Sequence, residues 1–586
     1  MPLFERTIMS SGNSAKTRSD RAASLKLRPG AFARVWRLFH SRQFWVHAGL
    51  CAWMIALLLV VTGAGSPPFA YRSGYIPEHD LLARTSFQVA TAPDQSHQFR
   101  EGSVLARRGR PLSTSDVQKL FAEHAALNAQ QGWDQLLARV MASMGIYVLL
   151  TVICGWYLHI HHRSILEHTG RLAVLGAGVV LMVLLSRVGS SDAWRAESVP
   201  LILLGMTLAI VFDRPLALLL AVAVTLVVSL SLGFSLPKHL LLASSVAVPT
   251  LMVTRIRSRT RLIHVGVVSG GIVLVVTLCI SGMAGQSFGL SHWTHVSPID
   301  EGDLLTRWSF AQQVMYGAAW YGVCVVLAGF LMSGLLPYLE RAFDFQTDIR
   351  LLELGDAAHP VLRQLAQRAP GTYNHSINVA SLAEAAAESI NADGLLVRVA
   401  SYFHDIGKMF KPEYFIENQS TAGNQHDSLV PAMSTLVIVA HVKDGANLAR
   451  QHRLPRSIID LLEQHHGTTL VEYFFRQATL QHEKAPDSRR PDETNFRYPG
   501  PKPQTREAAV LMMADAVESA CRTLTDPTPS RIESLVGEIG WKRLLDGQFA
   551  ECNLTLQELN TIQETLVKSL TAVYHGRIKY PSQQTA

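Results

Sequence analysis

Charge is scarce in this chain. Asp, Glu, Lys and Arg supply only 17% of its 586 residues, and the mean hydropathy is positive. Both features argue against a wholly soluble enzyme. Cysteine is scarce too. Of the six, Cys51, Cys154, Cys279 and Cys324 fall inside apolar blocks, and Cys521 and Cys552 fall in the C-terminal part. No CxxC occurs, which argues against a disulfide framework and against a cysteine-based zinc site. A GxxxxGK[ST] phosphate loop is missing, and nothing repeats along the chain beyond the apolar blocks. At this length more than one domain is expected.

The apolar residues are gathered in runs. A helix needs about 20 residues to cross a hydrocarbon layer of about 30 Å. The first such run is 44–65, and its 43-residue leader favours a retained signal anchor over a cleaved signal peptide. Residues 66–135 are mixed, polar and broken by Pro and Gly, with one amphipathic stretch at 115–128. They read as a short extracytoplasmic segment. Seven blocks follow, at 136–159, 172–189, 197–212, 216–235, 239–254, 262–284 and 313–337. Pro200 and Pro249 sit in the two shortest, where membrane helices tolerate proline. The expectation is an all-α protein: a polytopic membrane part of about eight spans, with the seven-helix module at 136–337.

Basic residues set the expected orientation. Residues 1–43 carry nine (Arg6, Lys16, Arg18, Arg21, Lys26, Arg28, Arg34, Arg37, Arg42) against Glu5 and Asp20. Such a tail before an apolar run marks the cytoplasmic flank. The tail's Phe32, Trp36 and Phe39 crowd toward the span instead of interleaving with the cations, so a nucleic-acid polymer is not expected as partner. Arg163, Arg171, Arg214, Arg255, Arg257, Arg259 and Arg261 fall in loops on the same side. The 66–135 segment also carries arginines and departs from the rule. Both termini are thus expected in the cytoplasm, in a multi-pass protein of the bacterial inner membrane. Arg187, at the outer end of the third span, reads as a snorkelling side chain.

From Phe343 onward the composition is that of a soluble domain. Apolar residues recur at helical spacing in 376–390, 395–406, 429–443, 455–465 and 505–524, and 482–504 reads as a loop between helices. The expected division is a linker at 338–370 and a helical bundle at 371–586.

That bundle carries the chemistry. Residues 404–408 read His-Asp-Ile-Gly-Lys. Around them stand His375, His441, the pair His465-His466, and Asp515 in an otherwise apolar helix at 509–520. An aspartate buried there without a partner would be costly, and coordination would satisfy it. Water-activating divalent metals need nitrogen and oxygen ligands with open positions left over. The intervals of 29, 37, 24 and 50 residues between His375, His404, His441, His465 and Asp515 require several helices to converge. A helical bundle with an interior metal site meets that requirement. Two ions roughly 3.5–4 Å apart can generate hydroxide and neutralise a phosphoryl group. His452 and His482 read as surface or core histidines.

These stretches, taken together, resemble one family. They are Pro370–Ser376 (PGTYNHS), Tyr402–Lys408 (YFHDIGK), Pro412–Gln419 (PEYFIENQ), His441–Gly445 (HVKDG), His465–Thr468 (HHGT), Phe496–Pro503 (FRYPGPKP) and Arg506–Ala509 (REAA). The chain resembles the seven-transmembrane receptors with an intracellular HD hydrolase domain, the PgpH-type proteins. The resemblance implies a phosphodiesterase that cuts cyclic di-AMP to linear pApA with two manganese or iron ions. It implies one ion held by His375, His404, Asp405 and Asp515, and a second by Asp405, His441 and His465. His466 would lie beside the second ion as ligand or phosphate contact, and Lys408 would offset phosphate charge. His426-Asp427 resembles a family motif in which Gln425 replaces a proline. The family's long external domain is shortened here to 66–135. Residues 71–77 resemble its start, and 100–111 with 113–120 its end.

Other readings stay open at this point. A cyclic di-GMP phosphodiesterase of the HD-GYP kind would continue its double histidine into His-His-Glu and then Gly-Tyr-Pro. Here Gly467-Thr-Thr-Leu470 follows, and Arg497 precedes Tyr498-Pro499. HD sites also serve nucleotide monomers. A receptor or scaffold that binds nucleotide without turnover would carry degenerate ligand positions, and none is found. Oligomeric state is not legible.

Overall fold

The eight apolar runs become helices because nothing within them competes with helix formation and lipid leaves the backbone no other partner. In the computed structural model they are α1 (Arg42–Thr62), α3 (Trp133–His161), α5 (Thr169–Gly189), α6 (Ser198–Val211), α7 (Arg214–Ser231), α8 (Leu236–Met252), α9 (Arg259–Ala284) and α10 (Asp303–Phe343). Between them lie α2 (Thr114–Ala129) and the short α4 (Arg163–Glu167). The structure describes residues 42–92, 95–167, 169–253, 256, 258–288, 303–343, 345–419, 423–484 and 490–575. The basic tail at 1–41, with Arg255 and Arg257, lies outside the described residues.

Six of these helices are long and apolar enough to cross a membrane, so the protein is a multi-pass membrane protein. Two of the eight expected spans fall short of that measure: α6 has 14 residues and α8 has 17. At 1.5 Å per residue, α6 reaches roughly 21 Å. It is apolar all round and is the buried centre of its unit, packed on α5, α7, α8 and α10. A Cβ at Gly205 would collide with the Thr250 hydroxyl, so α6 and α8 meet face to face through that glycine. Helices α9 and α10 also approach through small residues: a Cβ on Gly266 would lie 3.1 Å from Gly329 Cα.

The Arg187 guanidinium donates to the Thr62 carbonyl and so caps the C-terminal end of α1.

The 66–135 segment holds the only strands among the described residues. β1 (Leu81–Leu82) pairs antiparallel with β4 (Val104–Ala106), and β2 (Phe87–Ala92) with β3 (Gln95–Phe99). Phe87, Leu105, Leu112 and Leu120 of α2 close a small core there. Ser113 caps α2 reciprocally with Asp116, which fixes where that amphipathic helix starts.

The described residues divide into two compact units. The first ends at Phe343, and the second begins at Asp344 and includes residues 255–259. The second contains α11 (Asp348–Leu354), α12 (Pro360–Arg368), α13 (Pro370–Ser389), α14 (Gly394–Phe403), α15 (Pro431–Gln451), α16 (Arg456–Gln464), α17 (Glu472–Lys484), α18 (Arg506–Cys521), α19 (Pro529–Leu545) and α20 (Leu556–His575). The expected linker at 338–370 is thus largely helical. Of the described residues in 482–504, 482–484 end α17, 493–496 form one turn and the rest are irregular. A bridge joins Leu470 to Arg497.

The core of this unit is α18. Ten of its residues from Ala508 to Val517 read Ala-Ala-Val-Leu-Met-Met-Ala-Asp-Ala-Val, and nearly all are buried. Helix α13 offers it a face of small residues, Val379, Ala383, Ala386 and Ala387, and packs against α14, α18 and α20. Small side chains bring these helices close enough for histidines and carboxylates on facing turns to meet in the interior.

Candidate metal centre

Each ligand-type side chain arrives at a helix end or on a buried helix face. Asp393 caps α14 by accepting from Leu396 N at 3.0 Å, which fixes where the helix starts; it runs to Phe403. His404 and Asp405 follow at once, before a tight turn at Ile406–Phe410. His441 lies midway along α15, and His465-His466 end α16. Gly467 then takes φ +53°, a conformation that costs glycine nothing and turns the chain away from the site. His375 stands on α13, and Asp515 on α18.

Asp405 is the hub. Its Oδ2 lies 3.2 Å from His404 Nε2 and 3.6 Å from His375 Nε2. Its Oδ1 lies 3.3 Å from His441 Nε2 and 3.8 Å from His465 Nε2. Asp515 Oδ1 lies 3.0 Å from His375 Nε2 and 3.7 Å from His404 Nε2, and its Oδ2 lies 3.5 Å from His466 Nδ1. Two groups of donors result. One is His375, His404 and Asp515; the other is Asp405, His441, His465 and His466. Each could hold a metal ion. All seven positions singled out in the sequence therefore meet in one place.

The far sides of the imidazoles fix which nitrogen faces inward. His404 Nδ1 meets Ser401 O at 2.7 Å, His441 Nδ1 meets Ile438 O at 2.5 Å, and His465 Nδ1 meets Leu462 O at 2.6 Å. A carbonyl can only accept, so each Nδ1 carries a proton and each Nε2 faces Asp405. His375 is oriented by a carboxylate: its Nδ1 lies 2.5 Å from Glu518 Oε2. Glu518 is itself held by Asn378 at 3.2 Å and Arg522 at 2.6 Å.

These residues fit a metal. His404 Nε2 and both Asp405 oxygens are buried with no well-oriented hydrogen bond, although Lys408 Nζ lies 2.7 Å from Asp405 Oδ2. Buried polar atoms left so are rare unless an ion or water completes them. A donor set of imidazole nitrogen and carboxylate oxygen, without sulfur, suits first-row divalent ions.

Electrostatics show how strained the set is with protons alone. Burial works against charge on His404, but Asp405 and Asp515 outweigh it and lift its pKa to about 10. His375 is raised likewise: burial is overcome by Asp515 and Glu518. Burial pushes His465 down to about 3, with His404 adding to the effect. Burial opposes ionisation of Asp405, yet His404 and Lys408 hold its pKa well below the ordinary carboxylate range. So near neutral pH a proton sits on His404 where an ion would need a lone pair. Binding a divalent ion should release that proton, and affinity should fall as pH falls. Titration calorimetry in buffers of different ionisation heat should show buffer-dependent heats. Heats independent of buffer would show that no net proton leaves on binding and that His404 does not release one.

Lys408 is not a surface lysine. Its side chain is 13% exposed, and Nζ also pairs with Glu417 at 3.0 Å. Glu417 and Asn418 tie this lysine to the start of α13 through Thr372. His466 packs its ring 4.3 Å from that of Tyr498. His426 stands apart from the cluster: its Nε2 meets Tyr414 O at 2.8 Å, and its ring rests on Phe474. His452 is exposed.

Sequence reasoning missed Glu518, Glu417 and Tyr498. Glu518 had a signal, since a second acid one turn after Asp515 (i, i+3) shares its face in an apolar helix. Glu518→Gln should weaken metal binding roughly tenfold to a hundredfold, as loss of a ligand-orienting carboxylate does. Dye competition for the ion, with the melting temperature of the ion-free protein as control, measures it. Unchanged affinity would mean that Glu518 only packs.

Comparison with known proteins follows the same division of the chain. The profile described as "7TM receptor with intracellular HD hydrolase" matches residues 138–347, and that described as "HD domain" matches 372–520. Residues 138–347 are thus similar to the membrane part of 7TM receptors with an intracellular HD hydrolase, and residues 372–520 to HD domains. Two relatives are named cyclic-di-AMP phosphodiesterase PgpH. The Bacillus subtilis protein is 46% identical over 260 residues, covering 44% of this chain and 36% of that protein. The Listeria monocytogenes protein is 46% identical over 251 residues, covering 43% and 34%. The chain thus spans about a third of the length of the curated relatives it matches. A crystal structure of the L. monocytogenes PgpH HD domain with cyclic-di-AMP is 46% identical; it covers 37% of this chain and all of that one, with a TM-score of 0.35.

Proposed function

We propose that the chain is a membrane-anchored, metal-dependent phosphodiesterase that hydrolyses cyclic di-AMP to pApA. The observation that carries this reading is the double group of donors around Asp405, in a chain 46% identical over this region to proteins named cyclic-di-AMP phosphodiesterase. In the proposed arrangement His375, His404, Asp405 and Asp515 hold one ion, and Asp405, His441 and His465 hold the second. His466 stands beside the second ion. Manganese or iron suits these nitrogen and oxygen donors. Bound together, two such ions would acidify a water and neutralise charge on the phosphoryl group.

The chain's own residues do the rest. Asp405 is anionic and central, with an oxygen for each group of donors. Lys408 carries a positive charge at the edge of the site, where Asp405 and Glu417 keep it protonated against the effect of burial. It is the candidate partner for a non-bridging phosphate oxygen. His466 is held neutral by burial and by His465. One edge of its ring is open, with 20% of the side chain exposed, so it can meet substrate as ligand or donor. Tyr498 braces its face. Positive charge near the ends of α1, α3, α5 and α7 supports a cytoplasmic position for this unit.

The test is turnover by the full chain in detergent. Loaded with manganese, and separately with iron, it is incubated with cyclic di-AMP, cyclic di-GMP and nucleoside monophosphates, and the products are separated by chromatography. The expected result is metal-dependent conversion of cyclic di-AMP to pApA, with the other substrates slower. Preference for cyclic di-GMP or monomers would replace the substrate. Full metal loading without any turnover would leave the receptor reading.

A further inference from the structure

The membrane unit holds a second buried polar cluster, remote in sequence from the metal centre. A cavity of about 400 Å³ lies between the 68–75 segment, the start of α8 and the residues that follow α9. That size is within the range of small-ligand pockets, about 300–1,000 Å³. Four cations line it: Arg72, Arg84, Arg195 and Lys238. Three of them have a carboxylate of their own. Arg84 Nε lies 3.5 Å from Glu123, Arg195 Nη2 lies 3.4 Å from Asp192, and Lys238 Nζ lies 2.7 Å from Glu197. Tyr321 locks the last pair by donating to Glu197 at 3.0 Å.

Arg72 is the fourth cation. It forms no ion pair among the described residues, and its Nη1 is buried without a hydrogen-bond partner. Its guanidinium carbon lies 4.9 Å from the centre of the Phe234 ring, which holds it in place without neutralising it. Four cations against three carboxylates leave one positive charge. Arg72 is half-buried, yet its Nη1 is shut away from water, where a donor without an acceptor is costly; a planar guanidinium is built to bind an oxyanion in bidentate fashion. Phe69, Tyr75, Phe234 and Phe288 supply apolar wall on the other sides.

We propose that this cavity binds an organic anion with a singly charged oxyanion head, carboxylate or phosphodiester, on an apolar body. Arg72 takes the head, and the aromatic wall takes the body. Two sources share that chemistry: a soluble carboxylate and the headgroup region of an anionic lipid.

The full chain in nanodiscs of zwitterionic lipid is titrated with radiolabelled benzoate, with benzamide as the uncharged isostere, and again in nanodiscs containing phosphatidylglycerol. The expected result is saturable benzoate binding, competed by benzamide at least roughly tenfold less well. Arg72→Gln should weaken it at least roughly tenfold, and Arg72→Lys should recover part of the loss. Benzoate displaced by phosphatidylglycerol assigns the lipid as source; benzoate undisturbed by it assigns a soluble anion. Three results would overturn the proposal: no saturable binding of benzoate, equal competition by benzamide, or unchanged affinity in a folded Arg72→Gln protein. Where Arg72→Gln fails to fold, the benzamide comparison on the unaltered chain decides.

Discussion

Asp405→Asn should abolish metal-dependent hydrolysis, by more than about a hundredfold, and strip the protein of bound metal. A carboxylate that only orients a ligand already costs roughly tenfold to a hundredfold when lost. Asp405 does more, because one oxygen faces His375 and His404 while the other faces His441 and His465. An amide in its place has one neutral oxygen, and its NH2 would point at lone pairs on one side. Lys408 would also lose a partner 2.7 Å away. Atomic-emission metal content and chromatography of products, on the same full-length preparation, read both effects. Hydrolysis surviving in the variant would show that the two groups of donors do not act through a shared carboxylate. Metal retained with activity lost would place the role of Asp405 in the reaction and not in assembly.

The candidate metal site was legible because its residue types are unusual where they stand. A lone aspartate inside Val510-Leu-Met-Met-Ala-Asp-Ala-Val, or two adjacent histidines after an apolar turn, has no cheap structural explanation. What the sequence hid were the residues behind the ligands. Glu518, Glu417 and Tyr498 belong to common types at ordinary spacing, and their importance depends on which helices meet. Lys408 shows the same limit from the other direction. Read on the sequence, it could equally have ended a helix at the surface; the fold turns it inward because the 406–410 turn is packed on α15.

The membrane helices were legible for a different reason: a run of apolar residues long enough to cross lipid has few other fates. Length separated the cases less well. The block at 197–212 is apolar enough but folds as a 14-residue helix at the centre of its unit, so hydropathy alone counted it with the longer spans. The strands at 81–106 were not foreseen. They run two to six residues, too short for alternation to stand out. The pair Lys238–Glu197 went unnoticed because each residue sits at the edge of an apolar block, where single charges are ordinary.

Gly407→Ala should disable the site without touching a single ligand. The turn after Asp405 lies directly on α15. A Cβ at Gly407 would overlap the carbonyl of His441 and crowd the backbone nitrogen of Gly445. Both obstacles are main chain inside a helix, so no rotamer change relieves them, and α15 must move away from the turn. His441 moves with it, and so does the Nε2 that stands 3.3 Å from Asp405. Overpacking of this kind costs about 1–3 kcal/mol, which lowers the melting temperature by several degrees. A shift of about 1 Å in a positioned group can cost about a hundredfold in rate. Gly537→Ala is the matched control, because a Cβ there, within α19, meets nothing within 4 Å. It should leave activity unchanged and stability unchanged or slightly raised, since Ala is the better helix former. If Gly407→Ala kept both its melting temperature and its rate while Gly537→Ala behaved as expected, the glycine of the HDIGK turn would not be what sets His441 against Asp405.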